Sequence, residues 1–264
     1  MKHYTLNFEE IGEGRPVVLV SGIMSSTRYW YRFAEFFDTA QYKLIPVDLL
    51  GFGKSPKPRN ISYTYEEHRK SLYTTLSILL AKEKAILVGF SMGALLLTNF
   101  ARHYSGLVER IVLVSPPVFP DTQVTIRDLS VQSKSYRMVK TPILGRMASG
   151  MTTGFKPIFR KILPYFLTHV TPEIAADVPN HCWKSLQGSL KNVVEVPQFK
   201  NDIRFLDHVD IDIAYSTDDE YTREEYLLPM VDGMSNVKIH TINGSHQIPL
   251  DSPHELAGII KSSE

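Results

Sequence analysis

The pentapeptide Gly89-Phe90-Ser91-Met92-Gly93 decides how the rest of this sequence is interpreted. It follows the apolar run Ala85-Ile86-Leu87-Val88 and precedes a helical pattern over residues 94–102. A strand, Gly-x-Ser-x-Gly and a helix in this order predict a sharp, strained turn that points the Ser91 hydroxyl outward. The two glycines remove side chains that would collide with the turn. By itself, however, the pentapeptide also fits a glycine-rich turn that carries an ordinary serine.

Apolar runs alternate with helical patterns on both sides of this motif. Strands are predicted at residues 16–20, 43–47, 84–90, 110–114, 210–215 and 237–242. Runs of Val, Ile and Leu that alternate with helices predict an α/β protein, with a mostly parallel sheet covered by helices on both faces. The alternation stops after Ser115-Pro116-Pro117. We therefore predict a sheet domain of residues 1–117 and 206–264, interrupted by a helical insertion at residues 118–205.

Composition excludes several classes of protein. The 264 residues carry a formal net charge of +1, which argues against a bulk attraction to nucleic acid. Cys182 is the one cysteine, so no disulfide within the chain and no cysteine-built zinc site is expected. The first ten residues lack the apolar core of a signal peptide, and no run approaches the length of a membrane span. We expect a cytoplasmic location, no cofactor and no metal, and we leave the oligomeric state open.

The charge is unevenly distributed along the chain. Residues 121–200 contain 11 Lys and Arg but 5 Asp and Glu, whereas acidic residues exceed basic ones in the remainder. The simpler interpretation is two solvated surfaces of different composition. The alternative is that this segment attracts anionic substrates or an anionic interface.

A serine nucleophile needs a base within hydrogen-bond reach and a carboxylate that orients the base. Such groups are expected beyond the carboxyl ends of parallel strands. The loop after residue 242 holds His246 behind two small residues, and the loop after residue 215 holds Asp218 and Asp219. Either aspartate could instead cap the helix predicted from residue 222. The order serine, acid, histidine is the one expected after a strand-turn-helix serine.

Two backbone N–H groups should stabilise an oxyanion beside Ser91. One candidate is the amide of Met92, directly after the serine. The other is the amide of Ile23, in the loop that follows the first central strand, where Gly22 allows the backbone to turn. Ser26 or Thr27 could also cap a helix in this loop, and the two interpretations are compatible.

These motifs together resemble the α/β-hydrolase superfamily, in its capped esterase, haloperoxidase and C–C hydrolase branch. The stretch from Ser21 to Trp30 is similar to the family's His-Gly-x-x-x-Ser segment with its trailing Trp. Asp48-Leu49-Leu50-Gly51-Phe52-Gly53-Lys54-Ser55 matches its Asp-x-x-Gly-x-Gly-x-Ser loop. Ser91 matches the nucleophile and His246 the late histidine. The resemblance runs through most of the chain outside residues 118–205.

Two positions depart from the family pattern. The usual histidine of the oxyanion segment is Ser21 here, and the usual glycine of the acid turn is Ser216. The family's Gly-x-x-Asp pattern, placed on residues 216–219, favours Asp219 over Asp218. Because the donor at Ile23 is a backbone group, we expect the oxyanion site to survive the change at Ser21.

The resemblance implies a serine hydrolase that forms an acyl-enzyme with an ester. The apolar residues of the insertion lead us to expect small to medium, largely apolar acyl groups. C–C bond, lactone or amide hydrolysis and acyl transfer are alternatives on the same triad, and a receptor-like protein that binds a ligand is another. The insertion is expected to form a lid over Ser91. We expect its aromatic and apolar residues to build the lid's own core, with a minority lining a pocket; they are Phe155, Phe159, Tyr165, Phe166, Leu167 and Trp183.

Overall fold

A single parallel sheet organises the chain. The computed structural model describes residues 4–81, 83–166 and 172–262. Within them, six strands pair in the order β2-β1-β3-β4-β5-β6, every neighbouring pair parallel. The strands are β1 (Arg15–Val20), β2 (Tyr42–Val47), β3 (Ala85–Phe90), β4 (Val108–Val114), β5 (Asp210–Ser216) and β6 (Val237–Ile242). All six lie where the apolar runs predict them.

Helices occupy most of the connections between strands. They are α1 (Tyr31–Ala34), α2 (Tyr65–Leu79), α3 (Met92–Tyr104), α4 (Thr122–Gln132), α5 (Lys134–Lys140), α6 (Pro142–Gly154), α7 (Lys156–Phe166), α8 (Pro172–Asp177), α9 (Trp183–Ser189), α10 (Phe199–Ile203), α11 (Glu224–Val231), α12 (Ile248–Asp251) and α13 (Pro253–Lys261). Two 3-10 turns, Thr27–Trp30 and Ser105–Leu107, and one π-helical turn, Leu190–Val194, complete them. Residues 29–37 carry aromatic side chains at helical spacing, but they form the end of a 3-10 turn and the short helix α1 instead of one unbroken helix.

Both faces of the sheet are buried, which confirms the predicted α/β class. Alternate residues of a strand point to opposite faces. Val18 and Val20 of β1 belong to a hydrophobic cluster with α2 and α3. Val17 and Leu19 belong to a second cluster with α1, α12 and α13. The central strands β1 and β3 are accordingly almost continuously apolar, as strands covered on both faces are, whereas the edge strand β6 is only partly buried.

The chain reverses its direction of winding between β1 and β3. It moves from β1 to the edge strand β2 and then returns to the other side of β1 with β3. Loops at the carboxyl ends of two such strands diverge and leave a crevice between them, where ligands bind in open α/β sheets. The loop after β1 and Ser91 after β3 both lie at this crevice.

Helices α4 to α10 lie between β4 and β5 in the chain, and parts of them are attached to the sheet domain. Ser185 Oγ of α9 donates to the carbonyl oxygen of Gly51 at 2.8 Å, and Asn192 Nδ2 donates to the carbonyl oxygen of Ser62 at 2.7 Å. No strand lies within residues 118–205 in the part of the chain that the structure describes. That residues 118–205 form a separate cap with these boundaries stays a prediction.

A buried histidine lies where α9 contacts helix α2 of the sheet domain. His68 of α2 is fully buried, and its Nε2 lies 3.0 Å from Ser189 Oγ of α9. Its Nδ1 has no hydrogen-bond partner among the described residues. Burial lowers the pKa of His68 from 6.5 to about 3, because a charged ring would lose its hydration without gaining a counter-charge.

We predict that His68 makes the protein less stable in acid. The unfolded chain binds a proton at this histidine below pH 6.5, whereas the folded protein binds it only near pH 3. One proton taken up on unfolding lowers the free energy of unfolding by about 1.4 kcal/mol per pH unit as the pH falls through this window. His68→Gln should remove this contribution, so that urea unfolding between pH 6 and pH 4 shows a shallower loss of stability. A slope equal to that of the native chain would contradict the assignment, whatever the stability at neutral pH.

Candidate active site

Ser91 lies on a backbone turn that ordinary residues avoid. Its φ is 54° and its ψ is −122°, directly between β3 and α3. Its N–H donates to the carbonyl oxygen of Val114 at 2.9 Å, and its carbonyl oxygen accepts from the N–H of Ala94 at 2.9 Å. Such a conformation costs on the order of 1–3 kcal/mol and persists only where its surroundings enforce it. The strained turn predicted from the pentapeptide is present.

The two glycines of the pentapeptide allow the close approach that creates the turn. A Cβ added at Gly89 would lie 2.7 Å from the Cα of Ala94, and one added at Gly93 would lie 2.4 Å from the carbonyl oxygen of Val20. Both contacts are with backbone, which cannot move aside as a side chain can. Helix α3 therefore begins directly against β1 and β3, and its positive end lies beside Ser91.

Ser91, His246 and Asp219 form one hydrogen-bonded chain. His246 Nε2 lies 3.1 Å from Ser91 Oγ, and His246 Nδ1 lies 2.9 Å from each carboxylate oxygen of Asp219. The three residues follow β3, β6 and β5, so all lie at the carboxyl edge of the sheet. The rings of Phe90 and Tyr221 pack at 5.1 and 4.8 Å from the His246 ring. They limit the positions that the imidazole can take.

The carboxylate of Asp219 is also held in a fixed position. The side chain of Asp219 is fully buried, and its Oδ1 accepts from the amides of Tyr221 at 2.8 Å and Thr222 at 3.0 Å. Burial alone would raise the pKa of Asp219. The hydrogen bond and charge of His246, together with the two amide donors, outweigh it and hold the pKa below its ordinary value. Asp218 is exposed and makes no such contact with His246 in the described structure. The geometry thus favours Asp219 as the histidine's partner.

The serine that replaces the family's glycine at position 216 connects two loops of the site. Ser216 Oγ donates to the carbonyl oxygen of Ser245 at 2.6 Å. The amide of Asp218 also donates to the carbonyl oxygen of Gly244, at 3.3 Å. These bonds tie the acid loop to the histidine loop. Ser216, although it departs from the family's glycine, therefore helps to hold Asp219 and His246 next to each other.

The two predicted oxyanion donors lie beside Ser91. Ile23 and Met92 line the same cavity as Ser91 and His246. A Cβ added at Gly22 would lie 3.1 Å from the Cβ of Ser91, so the loop after β1 passes directly over the serine. The use of the two amides for an oxyanion stays a prediction.

Asp48 holds that loop in place, a role that the sequence analysis missed. Its carboxylate is buried and accepts from the amides of Thr27 at 2.7 Å and Lys54 at 2.8 Å. Burial raises its pKa, and the hydrogen bonds offset only part of the increase. A Cβ at Gly53 would lie 2.2 Å from the Asp48 side chain, which explains the second glycine of the Asp-x-x-Gly-x-Gly-x-Ser loop. An acidic residue directly after a buried strand was the available signal.

A cavity of about 280 Å³ adjoins Ser91. Its walls include Ile23, Met24 and Phe90 from the sheet domain. Apolar residues from the helical segment complete them; these are Leu129, Val139, Val178, Leu186, Leu190 and Val194. Among the described residues, no Asp, Glu, Lys or Arg lines the cavity, and no group of three or more His, Cys, Asp or Glu is arranged to hold a metal ion. The arrangement suits an uncharged, largely apolar ligand.

The prediction that the aromatic residues of the insertion build its core is wrong for Phe155 and Tyr165. Phe155 and Tyr165 are 58% and 82% exposed, so they build no core. Phe159 and Trp183 are half-buried, and neither lines the cavity. Leu167 and the side chain of Phe166 lie outside the described residues. Helical spacing marks which residues share a face, but it does not tell which face is turned inward.

Comparison with known proteins agrees with the fold. A family model described as the alpha/beta hydrolase fold matches residues 15–140. The chain therefore has the α/β-hydrolase fold. A probable lysophospholipase of Arabidopsis thaliana, BODYGUARD 4, is 34% identical over 107 residues, which cover 40% of this chain and 26% of that protein. The match thus spans about a quarter of that relative's length.

Solved hydrolase structures share the fold over almost the whole chain. A thermophilic esterase from Thermogutta terrifontis superposes with a TM-score of 0.73 and 20% identity, over 97% of this chain and 92% of that one. The bromoperoxidase of Bacillus anthracis superposes with a TM-score of 0.71 and 23% identity, over 96% and 92%. At these identities the likeness concerns the fold.

The close approach at the Ser91 turn predicts opposite effects for two glycines in helices. Gly93→Ala should lower the free energy of unfolding by about 2 kcal/mol or more, because its Cβ meets the Val20 carbonyl. Gly258→Ala in α13 meets no atom within 4 Å, so it should be neutral or stabilise by up to about 1 kcal/mol. Urea unfolding of the two variants checks this. Equal effects of the two substitutions would show that the close approach at Gly93 does not govern the turn.

Proposed function

We propose that this chain is a serine hydrolase, most directly a carboxylesterase, with Ser91 as nucleophile, His246 as base and Asp219 as the acid. The observation that carries the proposal is the continuous set of hydrogen bonds from Asp219 through His246 to Ser91 Oγ, beside an apolar cavity. A positioned base and its orienting carboxylate are the parts that a serine hydroxyl needs to become a nucleophile.

The first half of the proposed reaction forms an acyl-enzyme. Ser91 Oγ attacks the ester carbonyl carbon while His246 Nε2 takes the hydroxyl proton. The amides of Ile23 and Met92 donate to the oxyanion of the tetrahedral intermediate. As the intermediate collapses, the bond between carbon and the alcohol oxygen breaks, and the imidazolium returns the proton to the departing alcohol.

The second half repeats the same steps with water. His246 takes a proton from water, the resulting hydroxide attacks the acyl carbon, and Ser91 Oγ leaves and recovers its proton. Asp219 stays ionised throughout, in keeping with the direction of its pKa, and stabilises the imidazolium in both halves.

The cavity supports a substrate with a small to medium, largely apolar acyl group. Its volume of about 280 Å³ and its uncharged walls favour groups that gain by leaving water. Because Leu186, Leu190 and Val194 form part of those walls, we propose that residues 118–205 act as a cap that selects the substrate. A cytoplasmic location stays a prediction.

We predict ester hydrolysis that depends on the three residues. Ser91→Ala, His246→Ala and Asp219→Asn should each lower kcat/KM for short p-nitrophenyl esters by at least about 10³-fold, because each removes part of one catalytic unit. A fluorophosphonate probe should label the native chain and leave Ser91→Ala unlabelled. Uncharged acyl chains should be turned over faster than acyl chains that end in a carboxylate.

Matched variants provide the controls. Asp218→Asn changes an exposed neighbour of Asp219, and His208→Gln changes an exposed histidine, so both should retain activity. The hydrolase proposal would be rejected if the native protein were no more active than Ser91→Ala on a panel of esters, lactones and amides. Tight ligand binding without turnover would then support the receptor-like alternative. Turnover of lactones or amides alone would keep the triad and change the substrate class.

A further inference from the structure

Helices α6 and α7 carry an apolar face that is turned outward. Among the described residues, half of the fourteen large apolar side chains that are exposed lie between residues 143 and 165. We call this set the outer apolar face; its members are Ile143, Met147, Met151, Phe155, Ile158, Ile162 and Tyr165, which are 40% to 82% exposed. Contiguous exposed apolar groups of this kind mark interaction surfaces, whereas single exposed residues need no explanation.

The spacing places these residues along one stripe of each helix. Ile143, Met147 and Met151 follow one another at intervals of four in α6, and Ile158 and Ile162 do so in α7. Residues three or four apart share a helix face. Both helices therefore present an apolar stripe to solvent instead of to the core.

Polar contacts hold the other side of these helices against the protein. Ser149 of α6 is buried, and its Oγ lies 3.1 Å from Nε2 of the buried His181. Arg160 of α7 donates to Asn180 Oδ1 at 3.2 Å. The inward face is thus polar at these contacts and the outward face is apolar, which is the reverse of an ordinary surface helix.

Positive charge surrounds the outer apolar face. Residues 129–172 contain seven Lys and Arg and no Asp or Glu. Arg146 and Lys161 are exposed on the same two helices, each three residues from a member of the outer apolar face. The cavity beside Ser91 is uncharged, so these basic residues have no part in holding a substrate there. Their exposure leaves them accessible from outside the protein.

We infer that the outer apolar face docks on the surface of a membrane that contains anionic phospholipid. Apolar stripes flanked by Lys and Arg are the features of helices that lie in the plane of a bilayer, with apolar side chains among the acyl chains and basic groups at the headgroups. Tyr165, which has an apolar ring and a polar tip, suits the same boundary. A second copy of the chain is a poorer partner, because pairing through this face would bring like charges together. No helix among the described residues is long and apolar enough to cross a bilayer.

This inference does not rest on the proposed hydrolysis, and sedimentation with vesicles tests it. The native protein and Ser91→Ala should both sediment with phosphatidylcholine vesicles that contain phosphatidylglycerol, and much less with phosphatidylcholine alone. Added salt should lower the bound fraction, because it screens the attraction between basic side chains and headgroups. The Ser91→Ala result separates membrane docking from catalysis.

Two pairs of variants assign the binding to this surface. Met147→Glu with Ile158→Glu should weaken binding about tenfold or more, whereas Ile78→Glu, at an exposed residue of α2, should leave it unchanged. Arg146→Gln with Lys161→Gln should weaken binding to the anionic vesicles by about tenfold or more. Lys200→Gln with Lys238→Gln, both exposed elsewhere, should not.

Three results would overturn the inference. The first is a native protein that stays in the supernatant with anionic vesicles. The second is equal loss of binding in the test and control variants. The third is a stable dimer in sedimentation velocity that Met147→Glu with Ile158→Glu dissociates, without vesicle binding, which would assign the face to a second copy.

Discussion

The site depends on how closely helix α3 begins against the sheet. No Cβ fits at Gly89 or Gly93, because backbone atoms lie 2.7 and 2.4 Å from where it would be. This packing forces Ser91 to a φ of 54° and leaves its side chain at the carboxyl edge of β3. The surrounding core, which buries all of β3 and all of β1 except Arg15, holds the strained turn in place. At a helix N-terminus with ordinary backbone angles, the serine side chain would not be directed into the crevice in this way.

Parallel strands then bring the other groups to the same place. β3, β5 and β6 end at one edge, so loops from distant parts of the chain converge there. The buried carboxylate of Asp219 is fixed by two amides, and it in turn fixes Nδ1 of His246. The ring cannot rotate away from Ser91 without breaking a hydrogen bond to a buried charge, which is expensive. Asp48 fixes the loop over Ser91 in a similar way, because its buried carboxylate accepts a hydrogen bond from the amide of Thr27.

The sequence was sufficient for the fold class and for which segments meet. The central strands β1 and β3 are nearly unbroken apolar runs, strands alternate with helices along the chain, and Gly-x-Ser-x-Gly has a specific steric cause. The choice between Asp218 and Asp219 needed burial and hydrogen bonds, which a pattern of neighbouring aspartates does not contain. The role of Asp48 depends on a contact with Thr27, across two loops. The error over Phe155 and Tyr165 has a different origin. Helical periodicity assigns residues to a face, and the hydrophobic effect usually turns that face inward, but α6 and α7 are turned the other way.

A crystal structure of the protein after reaction with a p-nitrophenyl alkylphosphonate would test the central claim most directly. The account predicts a covalent bond between phosphorus and Ser91 Oγ, with His246 Nε2 within hydrogen-bond distance of an adduct oxygen. The phosphonyl oxygen should lie about 2.7–3.1 Å from the amide nitrogens of Ile23 and Met92, and the alkyl group should occupy the apolar cavity. A phosphonate attached to another residue, or a phosphonyl oxygen turned away from both amides, would contradict it.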